Sequence, residues 1–481
     1  MADSVRSQLM HGLFWNALEK YLLQGVSFMV GVVLARLLSP SDFGLIGMLS
    51  VFIAVTGAFV DSGLSNALVQ KHNCSKVDFS TVFSVNMIMS IMAAFILFLA
   101  APFISDFYHE PQLSPITRVL GFNIFLNALN IVHRAQLTIK LDFKSLAKIN
   151  VINTIVSGSV GISLAYCGFG VWALVLSTIA STLCGIVLFP IYTKWKPSMK
   201  FSMESFRVLF GYGSKLLVTG IYSQLINNIS TLFIGHTYTS KDLGFYSKAN
   251  QTPSTVSNFV YGVLSSVSFS VMSGIKEDKD HMLRLYKKAL FMTALFVFPM
   301  MMLFCMLSKS FIVVFFTDKW LPCLVMMQLY CFARMFTPLS ALNISVLNAS
   351  GRSDLFMWMD LSKTPLILGA LAITIPISVE AIVWGNTIVT VICFFINAYL
   401  PGRLYGYGAF KQLTDWRYII LCVVLMCAVV YGYCQLINNV FLQLFGGGFI
   451  GVISYAFFCH IFKVIDYKSL YLMIKNRSFY Q

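Results

Sequence analysis

The chain has 481 residues, 58% of them hydrophobic and 11% charged, with a mean hydropathy of +0.78. Soluble domains carry roughly 45–50% apolar residues, so a water-soluble domain is excluded and the chain belongs in a bilayer. The formal net charge of +15 would suit nucleic acid, but the placement of the charges decides what they mean.

Crossing about 30 Å of hydrocarbon takes roughly 20 apolar residues in a helix. Read on that scale, the sequence predicts fourteen spans, at 13–38, 45–69, 79–103, 113–133, 148–167, 170–192, 208–235, 245–273, 289–307, 322–347, 355–376, 379–400, 417–437 and 440–462. The first run is far longer than the h-region of a signal peptide and no small-residue cleavage site follows it, so it is expected to be retained. The eleven cysteines lie mostly inside spans, in no metal-ligand spacing, and read as small packing residues. Neither disulfide nor metal is expected, and the absence of GxxxxGK[ST] leaves no phosphate loop for ATP.

With the N-terminus inside, 24 of the 34 Lys and Arg fall in cytoplasmic segments, 3 in the opposite ones and 7 within spans. Such asymmetry over short loops is the positive-inside rule. It predicts cytoplasmic termini and accounts for most of the basic balance without nucleic acid. The segment Gln136–Lys148 alternates apolar and basic positions and is expected to lie along the cytoplasmic interface.

A corner recurs after 200 residues. LARLLSPSDFG (Leu34 to Gly44) and IGHTYTSKDLG (Ile234 to Gly244) each end one helix, supply side-chain oxygens to cap the next, and place a glycine at the turn: Ser39, Asp42 and Gly44, then Thr239, Asp242 and Gly244. The same offset aligns Gln24 with Gln224. Six spans separate the two corners, which implies a parallel repeat about an axis along the membrane normal. The expected division is an N-lobe at 1–200 (helices 1–6), a C-lobe at 201–400 (helices 7–12) and an accessory helix pair with a tail at 401–481.

Seven basic residues fall inside predicted spans, namely Lys20, Arg36, Arg118, Lys215, Lys248, Arg334 and Lys363, against three acids, Glu19, Asp61 and Asp360. An ionised side chain at mid-bilayer costs about 2.5–3.5 kcal/mol on insertion scales unless it faces water, protein or a counter-ion. Helical spacing gathers the polar groups. Asn16, Lys20, Gln24 and Ser27 share one face of helix 1; Lys215, Thr219, Ser223, Asn227 and Ser230 share one face of helix 7; Lys248, Thr252, Thr255 and Asn258 share one face of helix 8. Lipid rejects such stripes, so they are expected to line a wet cavity between the lobes. Structural readings stand beside this one: Arg36 and Arg118 near span ends can snorkel to headgroups, and Asp360 and Lys363 at i,i+3 can form an ion pair. The serine-rich stretch Ser265 to Ser273 reads as close helix packing.

The strings LARLLSPSDFGLIGMLSVF, DSGLSNALVQK, RAQLTIKLDFK, FTDKWLPCLVMMQLY and LNASGRSDL resemble the polysaccharide-exporter family, near the colanic acid exporters and O-antigen flippases of the superfamily that includes the multidrug and toxin extruders. The likeness runs from about residue 12 to residue 400. It implies an all-α, V-shaped transporter of twelve core helices plus two in a bacterial inner membrane. It also implies a substrate, an undecaprenyl-pyrophosphate-linked oligosaccharide destined for O-antigen, capsule or exopolysaccharide, and no enzyme activity or cofactor. Lys20, Gln24, Arg36, Arg118, Lys215, Lys248, Arg334 and Lys363 are the expected substrate-binding residues, and Glu19, Asp61 and Asp360 the expected acids for proton or sodium coupling. Membrane lipids, a polysaccharide polymerase and chain-length machinery are the expected partners. Related lipid II flippases place cations on helices 1, 2 and 8, whereas helix 2 here carries only Asp61. Two rivals remain: a multidrug extruder of the same architecture, which would favour acidic cavity residues, and an integral-membrane glycan polymerase or acyltransferase, which would need a large external loop or a His/acid cluster.

Overall fold

The computed structural model describes residues 22–61, 63–71, 74–198, 200–273, 279–349 and 353–464, with side chains excepted at 259–279 and 348–358. Among the described residues the chain is helical throughout, and it gathers into two compact units, Met1–Ser247 and Lys248–Gln481. Nine described helices are long and apolar enough to cross a membrane, and α1 (Leu22–Leu37) adds a shorter apolar one. The protein is therefore a multi-pass membrane protein. α8 is not among the nine, because the polar stripe read above lowers its hydropathy.

The first unit contains α1, α2 (Pro40–Asp61), α3 (Leu64–Gln70), α4 (Lys76–Tyr108), α5 (Leu113–Ile139), α6 (Phe143–Tyr166), α7 (Val171–Thr193), α8 (Met203–Thr237) and the first turns of α9 (Ser240–Ser273). The span expected at 45–69 is broken. Gly63 adopts φ +65°, and a Cβ there would lie 2.5 Å from the Gly213 carbonyl of α8. Only glycine combines that left-handed backbone with so close an approach. The segment expected at the interface comprises two helix ends and a tight turn: α5 runs to Ile139, Leu141 takes φ +55°, and Asp142 caps α6 by accepting from the Ser145 amide at 3.1 Å.

Both corner motifs form capping boxes. Ser39 Oγ donates to Asp42 Oδ2 at 2.6 Å while the Asp42 amide donates back to Ser39 Oγ; Thr239 Oγ1 and Asp242 repeat the pattern at 2.6 Å and 3.2 Å. Each box satisfies amides that the first helical turn leaves without partners. A third box, Ser75 with Asp78, starts α4, and Asp78 also takes the Lys71 ammonium at 2.8 Å. Asp78→Ala removes the N3 half of the box, in which its carboxylate accepts from the Ser75 amide, together with the ion pair. It is expected to cost about 1.5–3 kcal/mol, the worth of a hydrogen bond to a charged group, and to lower the midpoint of thermal unfolding in detergent.

The α7–α8 connection is fastened to α4. The Ser80 and Ser198 hydroxyls meet at 2.9 Å, the Ser202 amide donates to Thr81 Oγ1 at 3.1 Å, and the Trp195 ring packs edge-on to Phe83 and His133. Beneath lies a core of Leu64, Ala67, Leu68, Val82, Val132 and Leu209 that joins α3, α4, α5 and α8.

The second unit contains α10 (Lys279–Phe311), α11 (Leu324–Ala349), α12 (Ser353–Thr374), α13 (Val379–Tyr405), α14 (Ala409–Asp415), α15 (Arg417–Leu436) and α16 (Val440–Ile461). α10 ends in a π-turn over Ile312–Phe316, followed by Thr317 at φ 79°, ψ 167° and a 3₁₀ turn over Asp318–Cys323. A β-branched residue in that region stores roughly 1–3 kcal/mol of strain, so the surrounding contacts must hold it there. The last helix pair docks on α10 along its length. Ser310 Oγ donates to Gln443 Oε1 at 2.9 Å, Tyr455 Oη to the Leu295 carbonyl at 2.9 Å, and Gly447 and Gly451 leave room for Leu307 and Leu303. At the other end α14, a short helix absent from the sequence-based reading, inserts Gln412. Its amide nitrogen donates to Tyr286 Oη, Asn343 Oδ1 and the Tyr407 carbonyl at 3.1, 3.2 and 3.1 Å, and Tyr286 also donates to Asn343. Burial and then the Asp415 carboxylate, at 2.8 Å, push the Tyr407 hydroxyl well above its usual range, so it stays protonated and donating.

Candidate functional site

Within the first unit, α8 carries the clearest polar face. Lys215, Thr219, Ser223 and Asn227 are all exposed and recur every four residues, while Ser230 at the end of the series is buried. Thr219 returns its hydroxyl to the Lys215 carbonyl at 3.0 Å, so the backbone is satisfied locally and the ammonium projects from a regular helix. The broken end of α2 packs beside it: a Cβ on Gly63 would also lie 2.9 Å from Leu216 Cβ. There Asp61 accepts from Ser65 Oγ at 2.5 Å.

The other expected residues of this unit differ in setting. Gln24 is half-buried on α1, and Arg36 is exposed just before the corner. Arg118 is exposed on α5, its guanidinium 4.8 Å from the centroid of the exposed Phe98 ring. Lys20 and Glu19, and Asn16 with them, lie outside the described residues.

In the second unit the cations are enclosed. Lys248 is 6% exposed; its ammonium sits 4.6 Å from the Phe316 ring centroid and 5.9 Å from that of Trp320, itself fully buried. Aromatic faces attract a cation through the ring quadrupole, and more strongly once both are out of water. The π-turn and the strained Thr317 bring these two rings over α9. Arg334 on α11 donates from Nη2 to Asn250 Oδ1 at 2.6 Å and lies 5.9 Å from the Tyr330 ring centroid, while its carbonyl accepts from Ser257 at 3.1 Å. Its Nε is buried with no protein acceptor among the described residues, which leaves it one donor in hand. Lys363 and Asp360 form the i,i+3 ion pair that the spacing allows, at 2.8 Å, with the lysine side chain 10% exposed and the aspartate 42%.

The expected residues thus divide into three kinds. Lys215 heads an open polar face, Lys248 is a buried cation beside two rings, Arg334 is a half-buried one bonded to Asn250, and Lys363 is neutralised by Asp360. Sequence reading missed Phe316, Trp320 and Asn250. The aromatic pair is far from Lys248 in the chain, and Asn250, two residues from it, falls on another face of an ideal helix. No group of three or more His, Cys, Asp or Glu suited to a metal occurs among the described residues.

The chain is similar to known proteins in both sequence and fold. The chain is 24% identical over 405 residues to the teichuronic acid biosynthesis protein TuaB of Bacillus subtilis, covering 82% of this chain and 83% of TuaB. It is 23% identical over 376 residues to the lipopolysaccharide biosynthesis protein WzxC of Escherichia coli, covering 77% and 76%. Its fold is similar to that of the lipid II flippase MurJ in the inward closed conformation, with a TM-score of 0.77, 15% identity, and coverage of 95% of this chain and 99% of that one. A sequence profile of the polysaccharide biosynthesis protein family matches residues 33–325, well over half of the chain, and the chain belongs to that family.

Proposed function

We propose that the chain is a flippase that carries an undecaprenyl-pyrophosphate-linked oligosaccharide across a bacterial inner membrane by alternating access, without covalent chemistry. The observation that carries this reading is the exposed Lys215–Thr219–Ser223–Asn227 face. A membrane-length helix cannot offer an ammonium and three polar groups to acyl chains without a cost of several kcal/mol, so this face borders water. A cationic, wet surface inside a membrane protein attracts a compact anion such as a diphosphate, because Coulomb attraction and charge-assisted hydrogen bonds both strengthen where the dielectric is low. The functions named for the similar proteins support the same substrate class.

On this reading the termini are cytoplasmic, residues 1–200 and 201–400 are the two repeats, and a polymerase with its chain-length machinery takes the product. Of the acids considered for proton or sodium coupling, Asp61 is the best placed, since Asp360 is engaged by Lys363. A drug extruder fits less well, since organic cations need acidic rather than basic cavity walls. The test is flipping of a lipid-linked oligosaccharide in proteoliposomes. Lys215→Ala is expected to slow it roughly 10- to 100-fold, the equivalent of one hydrogen bond to a charged group at about 1.5–3 kcal/mol, with protein levels unchanged. An unaltered rate would remove α8 from the translocation path.

A further inference from the structure

One face of α13 changes character along its length. Trp384, Ile388, Ile392, Phe395, Tyr399 and Arg403 follow one another at spacings of four, four, three, four and four residues, which keeps them on one side of a helix. All are exposed except the half-buried Phe395. Trp384 and Tyr399 stand roughly 22 Å apart at 1.5 Å per residue, and such rings with a polar tip collect at the two membrane–water interfaces. Arg403 lies one turn beyond Tyr399. The stripe therefore passes from hydrocarbon, through an interfacial tyrosine, into the headgroup layer.

α14 returns to the same place. A Cβ on Gly402 would lie 2.8 Å from Gly408 Cα, so the backbone on either side of the connecting turn is in contact and Arg403 is brought beside the start of α14. That helix turns Gln412 inward and Phe410, Lys411 and Thr414 outward. Phe410, 77% exposed, sets its ring centroid 5.6 Å from that of Phe395 and so joins the α13 stripe. Lys411 Nζ donates to the Gly406 carbonyl at 2.8 Å, which holds the ammonium at the C-terminal end of α13, one turn past Arg403. No Asp or Glu occurs between Glu380 and Asp415, and the Asp415 carboxylate is engaged by the Tyr407 hydroxyl at 2.8 Å.

A basic residue that merely snorkels from a span end extends to water and needs no ligand. Here the lysine is drawn back over α13, and a large ring stands exposed beside it. Phosphate oxygens take charge-assisted hydrogen bonds from Arg and Lys, basic recesses between membrane helices hold anionic headgroups, and the aliphatic stripe below suits acyl chains. We propose that Tyr399, Arg403, Phe410 and Lys411 form a binding site for the phosphodiester headgroup of a resident anionic phospholipid, of the phosphatidylglycerol class, at the α13–α14 junction. The occupant is a component of the bilayer and not the transported molecule, so the site stands whether or not the flippase reading does.

Native mass spectrometry of the full-length protein in detergent, titrated with phosphatidylglycerol and separately with phosphatidylcholine, tests this. The parent should bind its first phosphatidylglycerol at least tenfold more tightly than phosphatidylcholine. Arg403→Gln/Lys411→Gln should abolish that preference and leave phosphatidylcholine binding unchanged, whereas Arg403→Lys/Lys411→Arg should keep most of it. Lys140→Gln/Lys144→Gln, which neutralises two exposed cations at the α5–α6 turn, should change neither affinity. Arg403→Gln alone serves if the double variant fails to fold, with a loss of threefold or more. Equal losses in the two neutralised pairs would show attraction to net charge and overturn the site, as would equal binding of both lipids by the parent. A 403/411 variant that loses undecaprenyl pyrophosphate in the same titration while keeping phosphatidylglycerol would overturn it too, by assigning the recess to a transported lipid.

Discussion

Trp320→Ala is expected to be the most damaging single change in the second unit, costing about 3–5 kcal/mol, the range for emptying a buried aromatic site. The indole is fully buried, and the 3₁₀ turn that carries it follows directly on Thr317, whose left-handed backbone only surrounding contacts can hold. The substitution also strips one of the two rings from the enclosed Lys248 ammonium, a loss of up to about 2 kcal/mol for a desolvated cation. Thermal unfolding of the detergent-solubilised protein measures the sum, and Trp320→Phe, which keeps an aromatic face, should lose less than half as much. The two contributions separate in a double-mutant cycle. With Lys248→Met in the background, Trp320→Ala should cost less than it does alone by the ring–cation share. Equal costs in both backgrounds would show that the indole acts as packing only.

Gln412→Ala comes second, at about 2–4 kcal/mol. Its amide nitrogen serves Tyr286, Asn343 and the Tyr407 carbonyl at once, and Tyr286, Asn343 and Gln412 are all fully buried. Truncation leaves at least two buried polar groups unsatisfied, each worth about 1–3 kcal/mol. Replacing Asn343 by leucine in the same protein should cost far less than the sum of the two single changes, because the groups orphaned by one are removed by the other. Strict additivity would mean that the cluster is not a coupled network.

How much of this was legible beforehand differs from element to element. Composition and charge asymmetry sufficed for a multi-helix membrane protein, and the repeated corner was readable because capping chemistry is local: Ser39 with Asp42 and Thr239 with Asp242 lie within one turn. That the two corners touch, a Cβ on Gly44 falling 3.1 Å from the Gly244 nitrogen, was not readable, since nothing in a string of residues says which distant glycines approach. The Asp360–Lys363 pair was visible as i,i+3 spacing, and the α8 face as a four-residue rhythm. The surroundings of Lys248 were hidden because Phe316 and Trp320 reach it through a π-turn and a left-handed threonine, both irregularities that periodicity arguments assume away. The break at Gly63 was missed for a related reason: its hydropathy is continuous with its neighbours, and only the approach of α8 makes the glycine necessary.

The attachments of α15 and α16 bear on how motion is to be observed. Hydrogen bonds from Ser310 to Gln443 and from Tyr455 to Leu295, with Leu303 and Leu307 seated against Gly451 and Gly447, splice the final pair to α10 at several heights. A fluorophore on the α15–α16 turn, for instance at Asn438, should therefore register tilting of α10 without touching any residue of the transport path, which makes this appendage a ready-made pointer for single-molecule recording.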